Sequence, residues 1–194
     1  GIEGWIKGVA KYYPDVMSKE VLIEDLEVTI QELNELVCEY SENNHIKIGC
    51  TMSLILIVDY EYYIFHVGDS RIYHIRGKEI LYQSMDHSYV QLEVLMGKLN
   101  ASEIRENSQR NLLIRALGYE NSAKAEVETL DAQPNDRILL CSDGFWEEIN
   151  EEEMLETSQK SHDAVEWLEQ MKRIVLDRLS RLSDNHSAIT IDII

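Results

Sequence analysis

The sequence predicts an α+β domain, and three observations carry that expectation. Short apolar runs of strand length follow one another with turns of only a few residues between them. A long amphipathic stretch precedes this block, and a second closes most of the remaining chain before a last apolar run. Antiparallel strands in a block, flanked by long helices, read as α+β rather than as alternating βαβ units. The length of 194 residues and the 44% hydrophobic content suit one domain, residues 1–194, with a core of useful size.

The first helix is expected from about Ser18 to Ser41, with Leu22, Leu26, Ile30, Leu33, Leu36, Val37 and Tyr40 recurring at steps of three and four. Ser18 stands where a cap belongs, and Glu20 and Glu24 favour the positive end of the helix dipole. Strands follow at Thr51 to Val58, Tyr62 to Val67, Arg71 to Ile75 and Glu79 to Gln83. Turns this short predict antiparallel neighbours throughout. From Tyr89 to Gly118 the pattern is helical but broken, with Asn100 placed to cap a short helix through Glu106. Arg137 to Cys141 reads as a buried strand and Ser161 to Leu182 as a second long helix, with Val165, Leu168, Met171, Val175, Leu179 and Leu182 in one stripe. Ser187 to Ile194 is the last strand.

Eighteen Lys plus Arg against 36 Asp plus Glu give a net charge of -18. That balance argues against nucleic acid and against an anionic membrane as partners, because both would repel the chain. Cationic partners, basic proteins or metal ions, remain open. Cys38, Cys50 and Cys141 form no CxxC pair, so free and mostly buried thiols in a reducing, cytoplasmic setting are expected. No apolar run reaches bilayer length, and the first ten residues lack the basic and apolar blocks of a signal peptide. The start at Gly1 reads as a processed or shortened chain.

Three aspartates occupy one kind of place. Asp69 lies in the turn after Tyr-Ile-Phe-His-Val-Gly, Asp143 just past Ile-Leu-Leu-Cys-Ser, and Asp184 just before the final strand. A lone Asp in a turn is more often a turn former or cap. Three at strand ends point toward a hard cation such as Mg²⁺ or Mn²⁺, which takes rigidly held oxygen donors. Spacing alone does not show that they converge. The six histidines show no HExxH pattern, and His66 and His74, within strands, read as packed or surface residues and not as ligands. His66, Asp69 and Ser70 are close in sequence but lack a nucleophile elbow. Tyr60, Tyr62, Tyr63, Tyr73 and Tyr82 read as strand packing.

Taken in order, several segments resemble one family. They are Gly49-Cys50-Thr51, Val67-Gly-Asp-Ser-Arg71, Asp86-His87-Ser88, Asn111 to Gly118, Leu139-Leu-Cys-Ser-Asp-Gly144, and Asp184-Asn185 before Ile-Thr-Ile. The chain resembles the metal-dependent protein phosphatases of the PP2C (PPM) family, of the bacterial kind, over about residues 49 to 194. The resemblance implies an αββα sandwich of two antiparallel sheets with helices outside. It implies two or three Mn²⁺ or Mg²⁺ ions and hydrolysis of phosphoserine or phosphothreonine in a phosphorylated protein substrate through a metal-bridged hydroxide. An opposing serine/threonine kinase follows from it as well. Asp143 and Asp184 stand at positions of metal ligands, Asp69 at a third-ion position. Residues 89–118 correspond to the variable flap beside the active site.

The family pattern begins with two further strands, which carry a phosphate-holding Arg and an Asp that bridges the metals. Neither is intact within residues 1–194, and Gly1-Ile-Glu-Gly4 can be read as a remnant of the second, with the bridging Asp then immediately before Gly1. Glu3 is a disfavoured substitute ligand. The chain starting at Gly1 is therefore expected to bind Mn²⁺ weakly and to turn over poorly. A phosphatase is the leading reading; a pseudophosphatase that binds or regulates a phosphoprotein is the alternative, and an acidic scaffold protein is the third.

Overall fold

The structure is a computed structural model, and it describes Glu3, Ile6, Lys7 and residues 17–58, 60–119, 125–179 and 184–194. The chain divides into two compact units, Gly1–Gly68 with Ile114–Leu130, and Asp69–Leu113 with Asp131–Ile194.

In the first unit, helix α1 (Lys19–Asn43) is capped by Ser18, whose side chain accepts from the Val21 N–H. Strands β1 (Met52–Val58) and β2 (Glu61–Val67) pair antiparallel from Met52↔Val67 to Val58↔Glu61. Strand β5 (Glu126–Asp131) completes a sheet of order β1-β2-β5. The central position of β2 explains its nearly continuous burial. Leu22, Leu26 and Ile30 of α1 pack with Val58, Tyr63, Phe65 and Leu117. The buried row of α1 continues at Asn34, not at Leu36 or Tyr40, which are exposed. Asn34 Oδ1 accepts from the Gly118 N–H at 2.7 Å. A polar residue is tolerated there because it satisfies a backbone donor.

The second unit holds β3 (Arg71–Arg76), β4 (Glu79–Gln83), β6 (Asp136–Cys141) and β7 (Ala188–Asp192), in the order β4-β3-β6-β7. All its pairings are antiparallel. Its helices are α2 (Tyr89–Leu95), a 3-10 helix (Ala101–Glu106) entered from Asn100, the single turn α3 (Asp143–Trp146), α4 (Glu151–Lys160) and α5 (Ala164–Arg178). The core gathers Tyr73, Leu139, Cys141, Phe145, Trp146, Met154, Trp167, Met171 and Val175.

The α+β class holds, with two antiparallel sheets and helices beside them. The expectation that all four early strands are neighbours fails at one turn. Strands β2 and β3 belong to different sheets, so Gly68-Asp69-Ser70 is a crossing and not a hairpin. Gly68 takes φ +109°, and a Cβ there would collide with the Thr51 side chain. Only a glycine allows that chain path. In α5 the inward row is Trp167, Met171 and Val175, while Val165 is exposed. Asp163 caps the helix, starting it three residues later than expected. Strand β5 and helix α4 carried no clear period and emerge only here. Leu182 and the break at Pro14-Asp15 lie outside the described residues. Of the three free thiols, Cys141 is buried, Cys38 half-buried and Cys50 exposed, so the expectation of mostly buried thiols is corrected. His66 and His74 are buried in their strands, so they are packed and not surface residues, and Tyr62, Tyr63 and Tyr73 pack as expected, whereas Tyr60 is exposed.

Candidate metal centre

The site lies within the second unit, at the end of the sheet where β3 begins and β6 ends. Register places Arg71 opposite Cys141, so Asp69 and Asp143 both lie two residues beyond that pair. Asp69 is buried, and Asp143 is half-buried at the first position of α3. Burial, then the charge of Asp143, then that of Asp86, push the Asp69 carboxyl up to about 7. Among the described residues no Lys, Arg or His side chain is within ion-pair distance of either.

The Asp184-Asn185 segment reaches the same place through its backbone. A Cβ on Gly144 would lie 2.5 Å from the Asn185 carbonyl oxygen and 3.0 Å from that of Asp184. The glycine after Asp143 is thus required by close approach of that segment. Ser142 N–H also donates to the Ser187 carbonyl at 3.0 Å. The Asp184 side chain is exposed and accepts from its own neighbour, the Asn185 N–H, at 2.7 Å. The structure therefore brings Asp69 and Asp143 together and sets the backbone of Asp184 beside them. Glu3 is exposed and pairs with Lys7 at 2.6 Å.

Beneath the carboxylates lies a network that the sequence did not announce. Arg71 is buried and grips Asp86 with two bonds of 2.8 Å. Its guanidinium lies 3.6 Å from the centre of the Trp146 ring. Trp146 Nε1 donates to the Asp69 carbonyl at 2.9 Å, which fixes the backbone of the crossing. Glu151 accepts from Arg71, Tyr73 and Arg105. The signal available was the buried-strand setting of Arg71 followed by Asp86: a charge inside an apolar strand needs a partner.

Adjacent oxygen donors without a counter-charge fit a hard divalent cation. Among the described residues, no group of three or more His, Cys, Asp or Glu side chains forms a ready ligand set. The fit therefore rests on Asp69 and Asp143.

A family model described as Protein phosphatase 2C matches residues 6–183. A serine/threonine phosphatase, stp, of Listeria monocytogenes serotype 4b (strain F2365) is 32% identical over 133 residues, which is 68% of this chain and 53% of that protein. The chain spans about half the length of that relative. Among solved structures, the S. agalactiae serine/threonine phosphatase matches with TM-score 0.80 at 20% identity, over 97% of this chain and 78% of that one. The catalytic domain of the phosphatase PstP, solved with two manganese ions, matches with TM-score 0.75 at 23% identity, over 97% and 77%.

Proposed function

The chain belongs to the protein phosphatase 2C family, and from that premise we propose that it carries the metal-binding end of a phosphatase acting on phosphoserine and phosphothreonine in proteins. The observation that supports this most is the juxtaposition of Asp69 and Asp143 at one sheet end, neither of them in an ion pair with a Lys, Arg or His among the described residues. Asp143 and Asp69 would hold divalent ions, Mn²⁺ or Mg²⁺, and Asp184 would join them through a small movement of its exposed side chain. Bound ions would supply an activated water for attack at phosphorus and would offset the phosphoryl charge.

The protein's own part is positional. Trp146 and the Arg71–Asp86 pair hold the Asp69 backbone, and Gly144 lets the 184–187 segment close on Asp143. The segment 89–118 would serve as the flap, and a single catalytic domain covering residues 1–194 belongs to the same reading. A phosphorylated protein and the kinase that makes it are the partners implied. The cytoplasm is the proposed location; no helix among the described residues is long and apolar enough to cross a membrane.

The test is hydrolysis of a phosphothreonine peptide with Mn²⁺ added. With the Arg- and Asp-bearing strands of the family pattern joined upstream, turnover is expected, EDTA should abolish it, and Asp143→Ala should lose most of it because two ions share the work; residues 1–194 alone should turn over poorly. Full activity of Asp143→Ala in metal-free buffer would reject the reading. Metal binding without turnover would favour the non-catalytic phosphoprotein-binding alternative.

A further inference from the structure

Arg110 differs from the arginines that build the second unit. Arg71, Arg76, Arg105, Arg137 and Arg178 each spend terminal nitrogens on carboxylates or carbonyls. Arg110 makes one bond, from Nε to Glu147 Oε1 at 2.5 Å. Among the described residues its two terminal nitrogens make none. The side chain is about one-third exposed.

Its anchor ties it to the carboxylate end. Glu147 follows Asp143 by one helical turn, its N–H donating to the Asp143 carbonyl at 2.9 Å. Residues so spaced project from the same face. The charge of Asp143 acts on Arg110, and that of Glu147 acts on Asp69, so the four groups form one neighbourhood. Glu147 holds Nε, and a guanidinium fixed through Nε keeps its terminal N–H groups for something else. The Glu147 charge also offsets that of Arg110, so the pair can stand near bound cations without expelling them.

We propose that Arg110 binds the phosphoryl oxygens of the substrate at the Asp69–Asp143 end, with Glu147 as its positioning residue. The proposal rests on the phosphatase reading for its substrate, and it assigns the anion contact to a residue of the 89–118 segment. A guanidinium with two free donors matches a tetrahedral phosphoryl group, and its exposure leaves it open to an incoming phosphopeptide.

Inorganic phosphate is the probe, titrated calorimetrically into the whole chain in the presence of Mg²⁺. Arg110→Ala should weaken phosphate binding about tenfold, as expected for loss of a charge-assisted contact. Arg110→Lys should recover only part, because a single ammonium cannot supply the fork. Glu147→Gln should weaken phosphate binding less than Arg110→Ala does. In Arg110→Ala and Arg110→Lys, Mg²⁺ affinity measured without phosphate should not fall, while Glu147→Gln, which leaves the Arg110 charge without its offset, should lower it; thermal melts should confirm folding in all three. Unchanged phosphate affinity in Arg110→Ala overturns the proposal. So does an unaltered chain that binds no phosphate, or a Mg²⁺ affinity that falls in step with that for phosphate in Arg110→Ala. Unchanged affinity in Glu147→Gln removes its positioning role. Arg110-dependent phosphate binding without phosphopeptide hydrolysis would keep this assignment and sink the enzymatic one. Hydrolysis with an indifferent Arg110 would do the reverse.

Discussion

At one end of the β3–β6 ladder Asp136 is fully buried, and at the other Asp69 is buried beside Asp143. The two buried carboxylates share a sheet and differ in company. Asp136 accepts from Arg76 at 2.7 and 2.9 Å, from His74 Nε2 at 2.9 Å and from the Gln133 N–H at 2.8 Å. Burial would raise its pKa, but the Arg76, Gln133 and His74 bonds hold it below the ordinary 3.8, at about 2. Among the described residues Asp69 is in no ion pair, and burial with the Asp143 charge drives it the other way, to about 7. Burial alone does not separate a structural aspartate from a functional one. The counter-charge does: where the fold supplies one, the carboxylate stabilises the sheet, and where it withholds one, the end is left ready for a cation.

Removing a structural partner should hurt most. Asp86→Ala leaves the Arg71 guanidinium buried and unpaired, and should cost about 3–5 kcal/mol in urea unfolding. A loss under about 1 kcal/mol would show that Arg71 is held by Trp146, Tyr73 and Glu151 instead. Gly144→Ala comes next. Its Cβ would meet a backbone carbonyl at 2.5 Å, so about 1–3 kcal/mol of stability should go, together with metal affinity as the Asp184 segment is pushed away. Loss of stability with metal binding intact would detach that segment from the site.

The Asp136 end gives a pH signature. Its folded pKa lies below its unfolded one, so its stabilising contribution is complete above about pH 4 and disappears as pH falls through about 2. Asp136→Asn should flatten that part of the acid unfolding curve. An unchanged curve would mean that other carboxylates carry it. The smallest effect belongs to Asp69→Asn in metal-free protein, which relieves repulsion and should leave the melting temperature unchanged or slightly raised. A large drop would place Asp69 among the structural carboxylates.

Only the Asp69–Asp143 half of this contrast could be read before the structure; Asp136 stood in a Gln133-Pro-Asn-Asp136 turn with nothing to mark its burial. The strand-end positions of Asp69 and Asp143 followed from the apolar runs before them, and the matched segments tied both to one chemistry. Gly68 and Gly144 were legible as glycines beside those residues, but their reasons, Thr51 and the Asn185 carbonyl, are long-range approaches that no local pattern encodes. The crossing at Gly68 was misread because a three-residue turn fits a hairpin and a crossing equally well. Val165 and Trp167 show the limit of periodicity in α5: both fit a helical stripe, and the larger side chain went inward, donating to the Met154 carbonyl at 3.1 Å. Arg110 and Glu147 are 37 residues apart and carried no motif.

The central claim is that the uncompensated end of the sheet is a divalent-cation site. Its most direct test is a calorimetric Mn²⁺ titration of the unaltered chain against Asp69→Asn, Asp143→Asn and Asp136→Asn. We expect the unaltered chain to bind Mn²⁺, each change at Asp69 or Asp143 to weaken binding by about tenfold or more, and Asp136→Asn to leave the affinity intact where it remains folded. Equal affinity in the unaltered chain, Asp69→Asn and Asp143→Asn would contradict the account.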